Sequence, residues 1–304
     1  MEFEKVKKNK YGFYELKDRT QAIELQKIFE ERYYQEDMGS YSTEYSEFEL
    51  QNYELRNIQT EYIINKNINK KDNVDFLDIG CGEGFASAFF LNKKYNVDCV
   101  DFSDKGIKNH NPELINRFQK GDALDILPNL IKNGKKYDII YMCGVLEMMY
   151  FPREVLDLIR KLLRNNGILI ISDGNDYSKL QLSLLEKRKL KREYWLDIPG
   201  HPSYFNLDGL INFTEESDFE CIDYYADSLI DFGLMNDLTN YYEHPDIGKK
   251  NFESYVELEQ MLIEISLEKT MKLKKILGSM GLGRTITAVF RNSENKREAG
   301  EKNG

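Results

Sequence analysis

Between about residue 74 and residue 173, short β-rich apolar runs alternate with helical patterns, and this alternation constrains the fold more than any other feature. It is typical of βαβ units, whose strands are parallel and whose helices cover the sheet. The predicted strands, two of them further downstream, cover residues 74–79, 97–101, 118–120, 138–142, 167–173, 219–225 and 284–292. The sequence therefore predicts an α/β fold built on a seven-stranded sheet.

The helical patterns predict how the rest of the chain is organised. Ahead of the sheet, residues 20–35 and 46–66 are predicted helices, and a capping box of Ser46 and Glu49 opens the second. Further helices are predicted at residues 85–93, 152–163, 208–217 and 252–277. We therefore expect an N-terminal helical cap or lid over residues 1–70, a sheet domain over residues 71–292 with insertions at 174–206 and 226–283, and a disordered tail over residues 293–304.

Charge and hydropathy exclude several classes of function. The chain of 304 residues carries 42 Lys and Arg against 52 Asp and Glu, a net charge of -10 that repels a phosphate backbone, so a nucleic acid partner is not expected. The longest apolar stretch, residues 139–149, contains Glu147 and is shorter than the ~20 residues of a membrane helix. The N-terminus lacks the apolar region of a signal peptide. We therefore expect a cytoplasmic protein that does not act at a membrane.

The cysteines and the longest predicted helix bear on metals and partners. The four cysteines are widely spaced, without a C-x-x-C motif, and only three histidines could complete a ligand set. Reduced thiols and no structural metal are therefore expected. The Leu, Ile and Met stripe of residues 256–277 is more typical of a helix core than of a partner interface. A homodimer through this helical insertion stays open as an alternative.

The most informative segment is VDFLDIGCGEGFA, at the junction of the first predicted strand of the sheet and its helix. Gly80 and Gly82 permit a tight turn and close approach of the backbone, while a helix that begins near Gly84 presents free N–H groups to an anionic group. Asp78 precedes the turn, and Asp101 ends the next strand, where a ribose diol would lie. This spacing predicts a nucleotide-like cofactor at the edge of the sheet.

Two Rossmann-type cofactors compete for this junction. The dinucleotide fingerprint G-x-G-x-x-G would place its third glycine at position 85, where this chain has Phe85. A ligand without pyrophosphate is therefore favoured, although an NAD-dependent oxidoreductase and a noncatalytic protein that only binds the cofactor remain alternatives.

Residues 74–173 resemble the class I S-adenosylmethionine-dependent methyltransferases. The resemblance rests on the turn above, on Asp101, on Gly121-Asp122-Ala123, and on the segments YDIIYMCGVLEMMYFP and LLRNNGILIISDGN. The flanks YYQEDMGSYSTEYSEFE, HPSYFNLDGLINFTEESDFE and GLGRTITAVFR resemble uncharacterised methyltransferases of bacterial polysaccharide and nucleotide-sugar pathways. The resemblance implies a Rossmann-like, mostly parallel sheet and S-adenosylmethionine as the cofactor.

The resemblance also implies a set of cofactor-binding residues. Gly80, Cys81 and Gly82 would surround the methionine moiety, and Asp101 would accept both ribose hydroxyls. Asp122 would contact the adenine amino group, and Phe102 and Ala123 would line the adenine ring. Cys143 would lie beside the methionine end, near the acceptor. The implied cofactor-binding positions are therefore Asp78, Gly80, Cys81, Gly82, Gly84, Asp101, Phe102, Asp122, Ala123 and Cys143.

Candidates for the catalytic side are fewer. Many relatives end the fourth-strand motif in Glu-His, whereas Met148 follows Glu147 here. Glu147 could orient the acceptor, or it could be a carboxylate favoured at a helix start. His201 and Tyr204 follow the fifth strand, at the side of the sheet where ligands bind, so they are candidates for a general base or an acceptor contact. The alternative is a surface turn shaped by the neighbouring prolines.

The last sequence expectations concern a lid and the reaction. Tyr33, Tyr34, Tyr41 and Tyr45 could form an aromatic lid over the cofactor's sulfonium, since a cation near an aromatic face is stabilised. The expected reaction is methyl transfer to an oxygen or nitrogen of a small polar acceptor, with a sugar or sugar nucleotide as the expected class. A hydroxyl acceptor would need a base, and His201 is the first candidate.

Overall fold

The computed structural model describes residues 2–18, 44–69, 72–198, 200–227 and 229–293. The strands are β1 Val6–Lys8, β2 Tyr14–Leu16, β3 Asp75–Ile79, β4 Asn96–Asp101, β5 Phe118–Lys120, β6 Tyr137–Cys143, β7 Leu163–Gly174, β8 Ser203–Tyr204, β9 Phe219–Asp227 and β10 Thr285–Asn292. The α-helices are α1 Glu47–Asn67, α2 Phe85–Asn92, α3 Lys105–His110, α4 Ala123–Lys132, α5 Pro152–Leu162, α6 Lys179–Glu186, α7 Leu207–Glu215 and α8 Gly248–Ser279. Short 3-10 helices cover Pro112–Arg117, Leu146–Met148, Leu229–Met235 and Pro245–Ile247.

The main sheet has seven strands in the order β5-β4-β3-β6-β7-β10-β9. Neighbouring strands from β5 to β7 are parallel, and β10 runs antiparallel to both β7 and β9. All the predicted strands lie in this sheet, so the prediction of a Rossmann-like α/β fold with a mostly parallel sheet is confirmed. The strand order reverses on either side of β3, which places a crevice at the carboxyl ends of the central strands.

Burial on both faces explains why these runs form a parallel sheet. Every residue of β6 except Cys143 is buried, as expected for a strand covered by helices on both faces. One core packs α4, α5 and α7 against one face, and a second core packs α1 and α2 against the other. β7 begins at Leu163, earlier than predicted, because Leu163 pairs with Tyr137 ahead of a register shift. Residues 164–166, which lie between the predicted helix and the predicted strand, therefore belong to β7.

The N-terminal region differs from the predicted helical cap. Strands β1 and β2 form an antiparallel hairpin, and β2 pairs with β8 to give a second, three-stranded sheet. The prediction of a wholly helical segment over residues 1–70 is wrong for this hairpin. The predicted helix over residues 20–35 lies outside the described residues. Helix α1 confirms the second predicted helix, including the capping box of Ser46 and Glu49.

The long helix α8 confirms the predicted helical insertion and adds a kink. Ser266 has a nonhelical backbone with φ -173° and ψ 105°, and the Thr270 hydroxyl bridges the kink by donating to Leu262 O at 2.7 Å or Ser266 O at 2.9 Å. The buried Lys274 ammonium contacts Asp227 and Glu259 and lies 2.8 Å from Gln59 Oε1. These contacts fix α8 against β9 and α1.

The outer face of α8 bears on the predicted dimer. Met261, Ile265 and Ile276 are exposed on this helix, while Val256 and Met271 are buried against the body of the protein. The stripe thus divides between core and surface, and the homodimer stays a prediction. Among the described residues, no helix is long and apolar enough to cross a membrane, and no cluster of His, Cys, Asp and Glu could hold a metal ion.

Candidate functional site

A cavity of about 730 Å³ opens at the carboxyl ends of β3, β4, β6 and β7. This is where open α/β sheets bind ligands, and the volume is in the range of small-molecule sites. One end of the cavity is formed by the glycine-rich turn after β3 and by Asp101. The other, which we call the distal end, is formed by Glu147, Asp173, Asp176, Gln181 and His201, with Tyr150, Tyr194, Trp195 and Arg284 around them.

The turn after β3 depends on glycine for space and for backbone conformation. Gly80 has φ +72°, and a Cβ atom there would lie 2.3 Å from Val145 Cγ2. Gly82 also has a positive φ of 56°. The Gly80 and Cys81 amides donate to Val100 O at 2.8 and 3.2 Å. Because these two amides donate within the protein, they are not available as hydrogen-bond donors to a pyrophosphate. The turn instead presents its glycine backbone as a surface against which a ligand can pack.

Asp101 occupies the position predicted for a ribose ligand. It is the last residue of β4, it is buried, and its carboxylate accepts from Gly82 N at 2.9 Å and Ser103 N at 3.0 Å. Both backbone bonds orient the carboxylate at the cavity wall, and its remaining lone pairs can accept from a diol. The hydrogen bond from Gly82 thus couples the conformation of the turn to the orientation of the Asp101 carboxylate.

Asp78 lies beneath the turn in an environment that disfavours its charge. Its Oδ2 accepts from the Ser87 hydroxyl at 2.6 Å. Burial raises the pKa of Asp78 to about 7, against the opposing effect of the Ser87 hydrogen bond. Asp78 also lines the cavity, so a cationic group of a bound ligand would meet a carboxyl that is partly protonated in the free protein near neutral pH.

The predicted adenine-side residues lie together in the cavity wall. Phe102, Asp122 and Ala123 line it next to Asp101. Asp122 is the N-cap of α4, where its carboxylate accepts from Leu124 N at 2.7 Å. Capping leaves the second carboxylate oxygen of Asp122 available to a ligand amino group. The cap thus fixes the orientation of this side chain in the cavity wall, and its contact with adenine stays a prediction.

Helix α1 contributes site residues that sequence reasoning missed. Tyr53, Arg56 and Asn57 line the cavity beside the glycine-rich turn, and Arg56 Nη2 lies 3.3 Å from Cys143 Sγ. The Asn57 amide donates to Phe85 O at 3.3 Å and so ties α1 to the start of α2. Tyr53 and Arg56 are three residues apart on one helix face, a spacing visible in the sequence, but the sequence does not show which element that face covers.

The distal end concentrates carboxylates. Asp173 lies at the end of β7, Asp176 follows that strand, and both are buried, while Glu147 is in the 3-10 helix after β6. Asp173 Oδ1 accepts from Val145 N at 3.2 Å, and Glu147 Oε2 accepts from Gly174 N at 3.2 Å. Burial, and next the charge of Glu147, raise the pKa values of Asp173 and Asp176 well above the usual range. A bound cation would relieve this mutual repulsion.

Of the predicted catalytic residues, His201 and Glu147 line the cavity, whereas Tyr204 contacts the His201 ring from the core with ring centroids 6.3 Å apart. His201 lines the cavity with Nε2 3.8 Å from Glu147 Oε1. Tyr204 is fully buried in the core under the small sheet, where its hydroxyl donates to Asp197 O at 2.9 Å. Tyr204 is therefore a core residue, because pairing of β8 with β2 turns its ring away from the cavity.

Two further predictions change with the structure. Gly84 does not line the cavity; it begins α2 with φ +80°, and a Cβ there would lie 2.7 Å from Leu114 Cδ1, so its role is packing. The lid tyrosines Tyr33, Tyr34 and Tyr41 lie outside the described residues. Tyr45 is described, and its hydroxyl donates to the Glu83 carboxylate in the glycine-rich turn. This contact attaches one of the four predicted lid tyrosines to the turn, and the lid itself stays a prediction.

The family of the chain follows from a comparison with known protein families. The family described as methyltransferase domain matches residues 50–224, which is more than half of the chain and contains both ends of the cavity up to His201. The chain belongs to this methyltransferase family. S-adenosylmethionine is its cofactor, and the close-packed glycine turn with Asp101 and the adenine-side wall fits this group. The predicted methyltransferase family and its cofactor are confirmed.

Curated relatives and solved structures match this methyltransferase at low identity. Ubiquinone biosynthesis O-methyltransferases of Rickettsia prowazekii and Pelagibacter ubique are 28% identical over 132 and 152 residues, which are 42% and 49% of this chain and 52% and 62% of theirs. The chain thus spans about half the length of the curated relatives it matches. Both relatives are named for ubiquinone biosynthesis. The resemblance of the flanks to methyltransferases of polysaccharide pathways stays a prediction.

Two solved structures overlap with this methyltransferase over most of its length. A SAM dependent methyltransferase from Archaeoglobus fulgidus has a TM-score of 0.48 and 17% identity, covering 88% of this chain and 99% of its own. A S-adenosylmethionine-dependent methyltransferase from Clostridium acetobutylicum has a TM-score of 0.48 and 12% identity, covering 79% and 91%. Overlaps at this level add nothing to the family assignment. The information on the acceptor lies in the residues that line the cavity.

Proposed function

We propose that this methyltransferase transfers the methyl group of S-adenosylmethionine to an oxygen or nitrogen of a small polar acceptor that binds in the distal end of the cavity. The observation that carries the proposal is the continuity of one cavity from the glycine-rich turn and Asp101 to Glu147, Asp173 and His201. A donor held at the turn and an acceptor held at the distal end would share one enclosed space. Alignment of the two reactants supplies much of the rate enhancement of such a transfer.

The residues of the chain have separable tasks in this reaction. S-adenosylmethionine, when bound, supplies a methyl group activated by its sulfonium. Asp101 would hold the ribose, Phe102 and Ala123 would hold the adenine ring, and Arg56 offers a cation to the cofactor's carboxylate. On the acceptor side, His201 can take a proton from a hydroxyl through Nδ1, which has no hydrogen-bond partner among the described residues.

The charge of the distal end narrows the class of acceptor. Three carboxylates line it, so the diphosphate of a sugar nucleotide would meet repulsion there. The same polar groups would be left unpaired by an apolar acceptor, at a cost in binding free energy. A sugar or similar small polar molecule without phosphate fits these groups better, and we propose this class in place of the sugar nucleotide.

The alternatives make different predictions. An NAD-dependent oxidoreductase is disfavoured by the methyltransferase family and by the internal hydrogen bonds of the turn amides. A noncatalytic binding protein would bind S-adenosylhomocysteine but would not turn over. Release of labelled methyl groups from S-adenosylmethionine onto a panel of sugars separates this alternative from an enzyme, because only an enzyme labels an acceptor.

Replacing Asp101 tests the cofactor site. We expect Asp101→Ala to weaken S-adenosylhomocysteine binding about tenfold to a hundredfold, since charge-assisted hydrogen bonds to the ribose worth ~1.5 to 3 kcal/mol are lost. Asp101→Asn, which keeps one oxygen acceptor, should have a smaller effect. Calorimetry measures both dissociation constants. Asp104→Ala, which removes a half-buried carboxylate that is paired with Lys108 and does not line the cavity, is the control. An unchanged dissociation constant in a folded Asp101→Ala variant would remove Asp101 from the site.

Hydrogen exchange tests the lid. Because Tyr45 bonds to Glu83 in the glycine-rich turn, we expect S-adenosylhomocysteine to slow amide exchange in residues 33–45. Mass spectrometry of the free and bound protein measures the effect, and the β1–β2 hairpin, whose residues do not line the cavity, should exchange at the same rate in both. Exchange in residues 33–45 that ignores the ligand would end the lid hypothesis.

A further inference from the structure

The distal end of the cavity carries more recognition groups than methyl transfer itself requires. We propose that the acceptor is a polyhydroxylated amine, of which an amino sugar is the simplest example, and that its ammonium group binds among Glu147, Asp173 and Asp176. The inference rests on the proposed function, because it treats the distal end as the acceptor site. It goes further by naming the charge and chemistry of the acceptor.

The first observation is a cluster of three acidic side chains, those of Glu147, Asp173 and Asp176, in a buried place. Asp173 and Asp176 are 2% and 6% exposed, and each lies close enough to Glu147 to feel its charge. Among the described residues, Arg284 is the one Lys or Arg that lines the distal end. Its guanidinium is shared, since Nη1 lies 3.4 Å from Asp231 Oδ1 and donates to the Tyr241 hydroxyl at 2.9 Å. The carboxylates therefore outnumber the available cations.

The second observation is independent of charge. Asp173 Oδ2 and Gln181 Oε1 are buried acceptors without a hydrogen-bond partner among the described residues, and His201 Nδ1 is likewise unpartnered. Gln181 is 1% exposed and comes from α6, a different element from the carboxylates. Buried polar atoms without partners are costly in a native protein. Acceptor atoms from three segments that line one cavity call for a ligand rich in N–H and O–H donors.

The third observation is the nature of the remaining walls. The rings of Tyr150, Tyr194 and Trp195 line the same end of the cavity. An ammonium group near an aromatic face is stabilised, and a compact ring-shaped ligand can stack its apolar face on such rings. An ammonium also brings three donors, which can pair with the oxygen atoms of the acidic residues that line the cavity. Hydroxyl groups alone would satisfy the unpartnered oxygens but would leave the charge repulsion in place.

Binding by matched pairs of sugars tests this inference. We would saturate the full-length protein with S-adenosylhomocysteine and titrate glucosamine against glucose, galactosamine against galactose and mannosamine against mannose. For at least one pair the amino sugar should bind about tenfold or more tightly than its hydroxyl counterpart, as expected for a charge-assisted hydrogen bond to a buried carboxylate. N-acetylglucosamine, which lacks the charge, should lose this advantage.

Substitutions locate the preference. Asp173→Asn keeps the oxygen that accepts from Val145 N and removes the charge, so we expect it to reduce binding of the preferred amino sugar about tenfold to a hundredfold, with little effect on glucose. Asp176→Asn is the second variant, should Asp173→Asn fail to fold. Asp157→Asn, at an exposed position on α5, is the matched control and should change nothing.

The outcomes separate this inference from the proposed function. Failure of S-adenosylhomocysteine to bind the wild-type protein would overturn the proposed function. Normal binding of S-adenosylhomocysteine, with each amino sugar no tighter than its hydroxyl counterpart, would overturn the amine inference and leave the methyltransferase site in place. A preference for amino sugars that survives both Asp173→Asn and Asp176→Asn would also overturn it, because the charge would then be recognised elsewhere.

Discussion

Replacing the buried Asp78 with asparagine should make the ligand-free protein more stable at pH 8 and leave its stability near pH 4 almost unchanged. The reason is the environment beneath the glycine-rich turn, where burial raises the pKa of Asp78 from 3.8 to about 7. Asparagine cannot ionise, yet its amide oxygen can still accept from the Ser87 hydroxyl that bonds to Asp78. The substitution therefore removes the ionisation and keeps the local hydrogen bond.

The sign of the effect follows from proton linkage. The unfolded chain ionises Asp78 near pH 4, whereas the folded protein holds the proton until about pH 7. The stability contributed by this carboxyl is thus fully present below pH 4 and is lost as the pH rises to about 7. At 1.36 kcal/mol per pKa unit the loss is at most about 4 kcal/mol. Without a ligand, this loss makes the buried carboxylate unfavourable. A cationic ligand bound beside Asp78 would offset the loss, which can explain why an acid is retained there.

Urea unfolding between pH 4.5 and pH 8 measures the effect. The difference in the free energy of unfolding between Asp78→Asn and wild type should grow with pH and level off above pH 7. Asp173 and Asp176 also titrate abnormally, but they are common to both proteins and cancel in the difference. Asp157→Asn should give a difference that does not vary with pH. A constant difference for Asp78→Asn would mean that Asp78 ionises normally in the folded protein.

The main sheet was predictable because its strands are buried on both faces. Continuous apolar runs such as β6 carry a signal in the local sequence, and the turn chemistry after β3 fixes where the first of the central strands ends. The small sheet was not predictable, since β1 and β2 have three residues each and their partner β8 lies almost two hundred positions away in the chain. Pairings of this kind depend on tertiary packing, which short segments do not encode.

The site divides in the same way. The predicted residues near the glycine-rich turn line the cavity because one local motif fixes their positions, whereas Gly84 does not line it and is required for packing. The distal end draws on β7, α6 and the loop at His201, which no single motif joins. Asp173 could have been found, because it ends a predicted strand at the ligand-binding edge. Arg56 could not, because its neighbours are set by how α1 packs.

His201→Ala should lower turnover about a hundredfold to ten-thousandfold on a hydroxyl acceptor and leave S-adenosylhomocysteine affinity unchanged. The side chain lines the distal end, its Nδ1 has no hydrogen-bond partner among the described residues, and Nε2 lies 3.8 Å from Glu147 Oε1. The carboxylate of Glu147 would stabilise the imidazolium that forms when Nδ1 takes the hydroxyl proton. The substitution His201→Ala removes this proton transfer but leaves the residues that would hold the cofactor unchanged.

Steady-state kinetics with a labelled methyl donor, paired with calorimetry on S-adenosylhomocysteine, distinguish the possible roles of His201. His244→Ala is the matched control, since His244 is exposed and lies outside the cavity wall. Equal losses of turnover and cofactor affinity in His201→Ala would indicate a structural role. Full activity would remove His201 from the mechanism and would leave either another base or an amine acceptor, because a neutral amine attacks the methyl carbon through its own lone pair and needs no base to create the nucleophile.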